Sequence, residues 1–466
     1  MFLERAYQLL ANHGKAGQIV KAGIYKDEGA TGLRQLLVER NSFDFLYALS
    51  NEKRVFPSVH HAERFALVGF TKAGAKADIQ ISFAITTREA IKPEELPDYL
   101  TESDQVMHVP QMLVERFSPD TLSIMEFRSQ RDADIVDRIY GNWYLLGEQI
   151  DGMWSVSLSR EFDMTNDRYL FNEDGVGWPL YEGKMMHQYT HRFSEPRYWV
   201  DPAKGQEELA RREIQHVEEA LDAGLPAQPK GTTRQQRIAA LLRAHKRGPL
   251  TADDVRTAAE APRLAFRDIA ASTNERAMIA AVLPSEVFAG NTLNYLIPWY
   301  FDSQTAHNDL YNINGNFKPA LTSALLVYLC GIFNSFTFDY VLRFKITTHV
   351  NMFYVRQLPV PRLMPDDQHC LAIVERVAQL VCVGQEFDEL RRELLGSVQA
   401  RVATNPIERQ RLQNEIDALV ANLYGLSEDE LRHILYAPYT FPLVAREIKD
   451  GVMAAFACIE EMVGEV

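Results

Sequence analysis

The sequence predicts three regions: an α/β region built on part of a doubly wound sheet, an α+β region, and a helical C-terminal region. Three observations predict them. In the first 75 residues, apolar runs of strand length alternate with segments of helical apolar spacing. Between about 151 and 360, short apolar runs, frequent aromatics and Gly, Pro and Asn turns replace that alternation. After Pro359-Val-Pro361 the apolar period becomes helical almost throughout.

Phe2–Asn12 has helical spacing, and Gly14-Lys-Ala-Gly17 turns the chain into the apolar run Gln18–Tyr25. Asp27–Val38 reads as helix, Phe43–Leu49 and Arg64–Phe70 as strands. This supplies about half of a doubly wound sheet, so the chain reads as starting in the middle of such a fold. Arg131–Ile139 reads as a short acidic helix. Gly205–Asp222 reads as a charged helix, Gly224–Thr233 as an exposed loop with two prolines, and Pro284–Gly290 and Asn291–Trp299 as buried strands. Cys370–Glu386, Asp388–Ala400 and Pro406–Tyr424 read as helices that scaffold the chain internally, and Ser427-Glu-Asp-Glu430 opens another with an N-cap. The expected domains are 1–108, a connector at 109–150, 151–360, and 361–466.

At 466 residues the chain exceeds one ordinary core. No run of about 18 apolar residues is present, so no membrane span is expected. Glu4, Asn12, His13 and Lys15 argue against a signal peptide. Cys330, Cys370, Cys382 and Cys458 lie far apart, as for reduced thiols of a cytoplasmic protein. The net charge of −14 does not by itself exclude nucleic acid, which requires only a local basic surface. Two windows lack acids: Pro229–Gly248, with Lys230, Arg234, Arg237, Arg243, Lys246 and Arg247, and Leu342–Leu363, with Arg343, Lys345, Arg356 and Arg362.

The stretch from Trp178 to Phe193 holds four aromatics together with Lys184, His187, His191 and Arg192, without strand alternation. Lys184 and Arg192 suit phosphates, while His187, Gln188 and Tyr189 suit base edges or stacking. A second segment, Leu264–Arg276, ends a strand in a loop of hydrogen-bonding groups. Arg267 and Arg276 have the planar fork that fits phosphate or guanine, and Asn274 can pair with adenine. Internal pairs, Arg267 with Asp268 or Glu275 with Arg276, are the alternative for this loop. Two further readings of the first stretch stay open. Asp174 with Glu182-x-Lys184 has the residue types of a Mg²⁺-dependent nuclease, and His187 and His191 have the spacing of two zinc ligands.

These two segments resemble the target-recognition region of adenine-specific DNA methyltransferases of the Eco57I restriction–modification type. Residues 14–72 resemble the last strands of that family's catalytic domain, through Gly17–Tyr25, Asp27–Ala30 with Leu33-Arg34, and Asn51–His60. Arg356-Gln-Leu-Pro-Val-Pro-Arg362 resembles the junction after recognition domains in type I specificity subunits. The resemblance implies double-stranded DNA as partner and Phe56 as a face against which a flipped base stacks. It implies DNA contacts at Lys184, His187, Gln188, Tyr189, Arg192, Arg267, Asn274 and Arg276, to which the second acid-free window, with its flanking aromatics, adds Arg343 and Lys345. The family's Gly-rich cofactor loop and Asn-Pro-Pro-Tyr/Phe tetrapeptide do not occur in the sequence. The expected function is therefore DNA recognition for a methyltransferase of a restriction–modification or phage-defence system. A separate catalytic subunit would bring S-adenosylmethionine, no cofactor being expected on the lone chain; the alternatives are an inactive remnant and the nuclease.

Overall fold

The computed structural model describes residues 2–38, 40, 42–74, 77–86, 89–101, 106–226 and 232–464. The chain is mixed α/β, with several small sheets and a helical C-terminal region, and it divides into two compact units. The first comprises residues 1–145 with 357–359, the second 146–356 with 360–466.

In the first unit, helix α1 (Phe2–Leu9) leads to strand β1 (Lys15–Lys21), then α2 (Gly23–Lys26), α3 (Thr31–Val38), β2 (Phe43–Ser50), β3 (Arg64–Thr71) and β4 (Asp78–Ala84). Helix α4 (Leu96–Thr101), β5 (Met107–Pro110), α5 (Gln111–Phe117) and α6 (Gln130–Asn142) complete it. The five strands form one sheet in the order β1-β3-β2-β4-β5. Central strand β2 is apolar nearly throughout, as a strand covered on both faces requires. A doubly wound sheet would be parallel, but here only β2 and β4 pair that way; β3 runs antiparallel to both neighbours. The cause is the 51–63 connection. It has no helical period and wraps around Asn51, whose side chain donates to the carbonyls of Phe56 and Val59 and accepts from the Phe56 N–H. A returning loop of this kind delivers an antiparallel neighbour, whereas a parallel one needs a crossover.

The second unit carries β6 (Leu158–Ser159), β7 (Phe171–Asn172), β8 (Trp178–Tyr181), β9 (Tyr198–Val200), α7 (Pro202–Ala223), α8 (Arg234–Ala244), β10 (Arg263–Arg267), β11 (Ala280–Leu283), β12 (Phe288–Ala289) and β13 (Leu293–Leu296). Strands β14 (Trp299–Phe301) and β15 (Phe317–Pro319) flank α9 (Ser303–Asn308) and form a separate pair. One sheet has the order β11-β10-β13-β6 and another β12-β8-β9-β7. The buried ion pair Arg263–Glu161, at 2.7 Å, ties the two: Arg263 stands on β10, and Glu161 accepts the Ala289 N–H of β12 at 2.6 Å. The run Pro284–Gly290 is strand only at Phe288–Ala289.

Helices α10 (Ser323–Asn334), α11 (Phe336–Arg343), α12 (Met352–Arg356), α13 (Gln368–Val381), α14 (Asp388–Leu395), α15 (Pro406–Leu423), α16 (Glu428–Tyr436), α17 (Arg446–Ala457) and α18 (Ile459–Gly464) follow. Helix α10 is apolar nearly all round, and it is buried between the β10–β11 sheet and α13 and α15. Helix α14 stops at Leu395, short of the expected Ala400, because Gly396 takes a left-handed φ of 76°. Ser427 and Glu430 form the expected capping box. Among the described residues no single helix is long and apolar enough to cross a membrane; α10 and α11 together are, but they bend by 58° and are buried.

Candidate nucleic-acid interface

Strand β8 ends at Tyr181, and a tight turn at Gly183–Met185 plugs Met185 and Met186 into the core formed with Ala265, Ala281 and Leu293. The Gly183 N–H donates to Thr292 Oγ1 at 2.9 Å, fixing where the turn begins. The chain then doubles back: His187 and Thr190 exchange backbone hydrogen bonds of 2.8 and 3.0 Å. Tyr189 holds a φ of 61°, the positive value a type II turn requires at its third position. A tyrosine in that conformation is strained. The surroundings enforce it: the Tyr189 N–H donates to Ala280 O at 3.0 Å and the ring is buried. Burial also holds its hydroxyl protonated well above the ordinary range.

This anchoring decides which side chains face solvent. Lys184 and Arg192 are exposed, with weak partners: Lys184 Nζ lies 3.2 Å from Glu182 and Arg192 3.4 Å from Glu386. Phe193 is 60% exposed, and the His187 ring lies against it, tilted by 33° with centroids 4.9 Å apart. Burial, then Arg267 and Arg276, lower the His187 pKa, so its ring is neutral near pH 7. His191 turns inward, 3.0 Å from Glu386; burial outweighs that carboxylate and lowers its pKa to about 4. Gln188 donates to Asn334 O at 3.0 Å, and Arg267 donates to Met186 O, holding β10 to the turn.

Arg276 and Arg343 lie elsewhere in character. Both are buried and share Asp339, Arg276 Nε at 3.2 Å and Arg343 Nε at 2.9 Å. Arg343 also donates to the carbonyls of Ser272, Asn274, Glu275 and Thr440, each within 2.9 Å. The Arg276 guanidinium stacks on Phe336 at 3.8 Å and Arg343 on Phe441 at 4.3 Å. These contacts clamp the 272–276 loop to α11 and to the residues before α17. The loop leaves Asn274 exposed while binding its backbone. Nearby Asp417, buried and accepting the Phe336 N–H at 2.6 Å, is pushed up to about 7 by burial.

Of the ten candidate DNA contacts, Lys184, Arg192 and Asn274 are thus exposed and His187 half-exposed. Gln188 and Arg267 are half-buried on internal carbonyls, and Tyr189, Arg276, Arg343 and Lys345 are buried. Both acid-free windows are neutralised in part, and in the second Arg343 pairs with Asp339 while Arg356 stays exposed. Arg234, Arg237 and Arg247 pair with Glu219, Asp222 and Asp254; Arg243 and Lys246 remain exposed, and Lys230 lies outside the described residues. Arg362 is buried, donating to Leu146 and Glu148 carbonyls and stacking on Trp154. In the first unit, Phe56 is half-buried and meets Phe65 edge-on at 4.9 Å.

The metal readings lose their geometry. Asp174 caps its own turn, its carboxylate accepting from the Val176 N–H at 3.0 Å, and lies before β8, whereas Glu182 follows it. Four extended residues separate the strand's ends by roughly 10 Å. Among the described residues no three His, Cys, Asp or Glu side chains converge on a metal position. Sequence reasoning missed a polar cluster at the end of β10: Asp268 accepts from Arg160 at 3.0 Å and Asn294 at 3.2 Å and meets His349 Nδ1 at 2.9 Å. His349 and the adjoining Ile269 are exposed beside the Arg267 anchor. His349 falls inside the Leu342–Leu363 window, which was the available signal.

No protein-family model matches the chain, and no curated protein does. Among solved structures it is similar to the Type IIL restriction–modification enzyme MmeI in complex with DNA, at TM-score 0.43 and 10% identity, over 99% of this chain and 51% of that one. It is also similar to the type IIG restriction endonuclease BpuSI, at TM-score 0.29 and 11% identity, over 91% of this chain and 49% of that one. A third is a nuclease-deletion mutant of the Type ISP enzyme LlaGI with a DNA substrate mimic, at TM-score 0.35 and 10% identity, over 82% of this chain and 36% of that one. The chain spans about half the length of the first two.

Proposed function

We propose that this chain is the DNA-binding, target-recognising portion of a site-specific adenine DNA methyltransferase of a restriction–modification or phage-defence system, completed by a separate catalytic half. The observation that carries the reading is the 182–193 segment. Its backbone is anchored to Thr292, Ala280 and Arg267, and it presents Lys184, Arg192, Phe193 and the edge of His187 to solvent. A fixed frame carrying two cations and an exposed ring pair is suited to phosphates and an exposed base face. Asn274, on a loop whose backbone Arg343 immobilises, is the group suited to reading an adenine edge.

The Gly-rich loop and the Asn-Pro-Pro-aromatic tetrapeptide do not occur in the sequence, so in this reading no step of methyl transfer runs through these residues. Methyl transfer is accordingly assigned to the other half, and this chain's share is to bind and orient the duplex. The test is duplex affinity as a function of salt. Affinity falls steeply as phosphate-bound counterions are released, with a slope of roughly one per phosphate contact. A flat salt dependence, or a slope unchanged in Lys184→Ala and Arg192→Ala, removes the reading.

A further inference from the structure

The 182–193 segment also meets the turn at residues 382–387, between α13 and α14. Phe387 is buried in that turn and meets the His191 ring edge-on at 5.2 Å. One residue earlier, the Glu386 carboxylate reaches both ends of the neighbouring pair. Its Oε1 lies 3.0 Å from His191 Nε2, and its Oε2 lies 3.4 Å from Arg192. Glu386 keeps only 18% of its side-chain surface in water, whereas Asp388, two residues on, keeps 43%. This acid of the helical region is turned onto a cation of the candidate interface.

Two features of the turn put the carboxylate there. Arg391, from α14, donates to the carbonyls of Cys382, Val383 and Gly384 at 2.7–3.0 Å and to that of Val398 at 2.8 Å. These bonds fix the path of the chain ahead of Glu386. Gly384 supplies the space: a Cβ at that position would overlap both carboxylate oxygens of Glu386. Its backbone, at φ −88° and ψ 166°, is open to any residue, so the glycine is required for room and not for conformation.

An arginine fork suits carboxylate and phosphate alike, because both offer paired oxygens to its parallel N–H groups. A phosphate that reaches Arg192 therefore meets an anion already in place. It also comes well within a Debye length of about 8–10 Å of Glu386, whose burial limits screening. Arg192 itself is 68% exposed and 3.4 Å away, so its hold on Glu386 is weak enough for a phosphate to replace. We infer that Glu386 is an internal counter-anion of the interface: it occupies Arg192 in the free chain, a duplex phosphate displaces it on binding, and the affinity for every DNA sequence is lowered alike. The inference rests on the reading of residues 182–193 as a duplex-binding segment. Binding without regard to sequence is electrostatic, so a built-in carboxylate restrains it while leaving base contacts untouched.

The probe is a fluorescent duplex of arbitrary sequence, titrated with the full chain over a range of salt. Glu386→Gln tightens binding by about fivefold at roughly 50 mM salt, and the gain shrinks as salt rises. Gly384→Ala keeps the carboxylate but pushes it aside, and it tightens binding in the same direction. In an Arg192→Ala background the gain from Glu386→Gln falls below about twofold, because the two residues act as a pair. Unchanged or weaker binding by Glu386→Gln overturns the inference. An equal gain with and without Arg192 overturns it too, since Glu386 would then repel DNA without occupying Arg192. Thermal midpoints are measured for each variant; if Glu386→Gln does not fold, Gly384→Ala decides, and no gain from it at an unchanged midpoint ends the inference. A parent chain whose affinity is flat in salt removes the recognition reading and this inference together. Steep salt dependence with no gain in either variant removes this inference alone.

Discussion

Arg276 and Arg343 keep 8% and 6% of their side-chain surface in water, whereas Lys184 and Arg192 keep 57% and 68%. All four are cations in segments rich in polar and aromatic residues. The buried pair has spent its charge inside the protein, on Asp339, on four loop carbonyls, on the Asn334 carbonyl at the end of α10 and on the faces of Phe336 and Phe441. The exposed pair has one carboxylate each within 4 Å, Glu182 and Glu386, and leaves most of its surface in water. A cationic residue therefore serves the fold or stays at the surface according to whether internal acceptors reach it before water does.

The largest effect expected is on the buried side of that comparison. Arg343→Ala leaves Asp339 buried with Arg276 and the Ala277 N–H but without its Oδ1 partner, and should destabilise the second unit by about 3–5 kcal/mol in urea unfolding. A loss under about 1 kcal/mol would show that the network is solvated and the contrast mistaken.

Asp417 sharpens the same comparison through pH. Its folded pKa is raised from 3.8 to about 7, burial being the main cause, so its stabilising contribution is complete below about pH 4 and is lost as pH rises towards 7. Asp417→Asn retains the oxygen that accepts from Phe336 N–H. The variant should lack this decline, and the difference from the parent chain should approach about 1.4 kcal/mol per pH unit inside the window. Parallel stability curves for the two proteins between pH 4 and 7 would contradict the assignment.

On the exposed side, Asn274→Ala should leave stability intact and relax preference at a single base pair, by about 1–3 kcal/mol of discrimination. Equal weakening on every sequence would make it a backbone contact instead. Smallest is Lys184→Ala, with stability unchanged within about 0.5 kcal/mol and the salt slope reduced by about one. If it instead unfolds the turn, Lys184 belongs with the buried group.

Local signals were legible where the backbone obeys its own chemistry. The Phe43–Leu49 and Arg64–Phe70 runs are strands β2 and β3 to within a residue, and the 205–222 and 406–424 patterns are helices α7 and α15. Helix ends were less legible, because Gly396 and the turn after Val381 stop α14 and α13 before the apolar period does. Sheet direction was not legible at all, since it depends on Asn51 folding the 51–63 loop back on itself. The candidate interface divides likewise: the 178–193 segment stood out by composition, while Glu386, which meets both His191 and Arg192, is nearly two hundred residues away in sequence.

The sequence alone determined the mixed α/β class with its helical C-terminal region, most elements, and the segments that concentrate cations with aromatics. Those properties live in runs of neighbouring residues, where periodicity and composition act directly. Only the tertiary structure decided which cations face water and which strands pair in parallel. Each depends on partners brought from distant segments, and a charge or a strand has no fixed role until those partners have arrived.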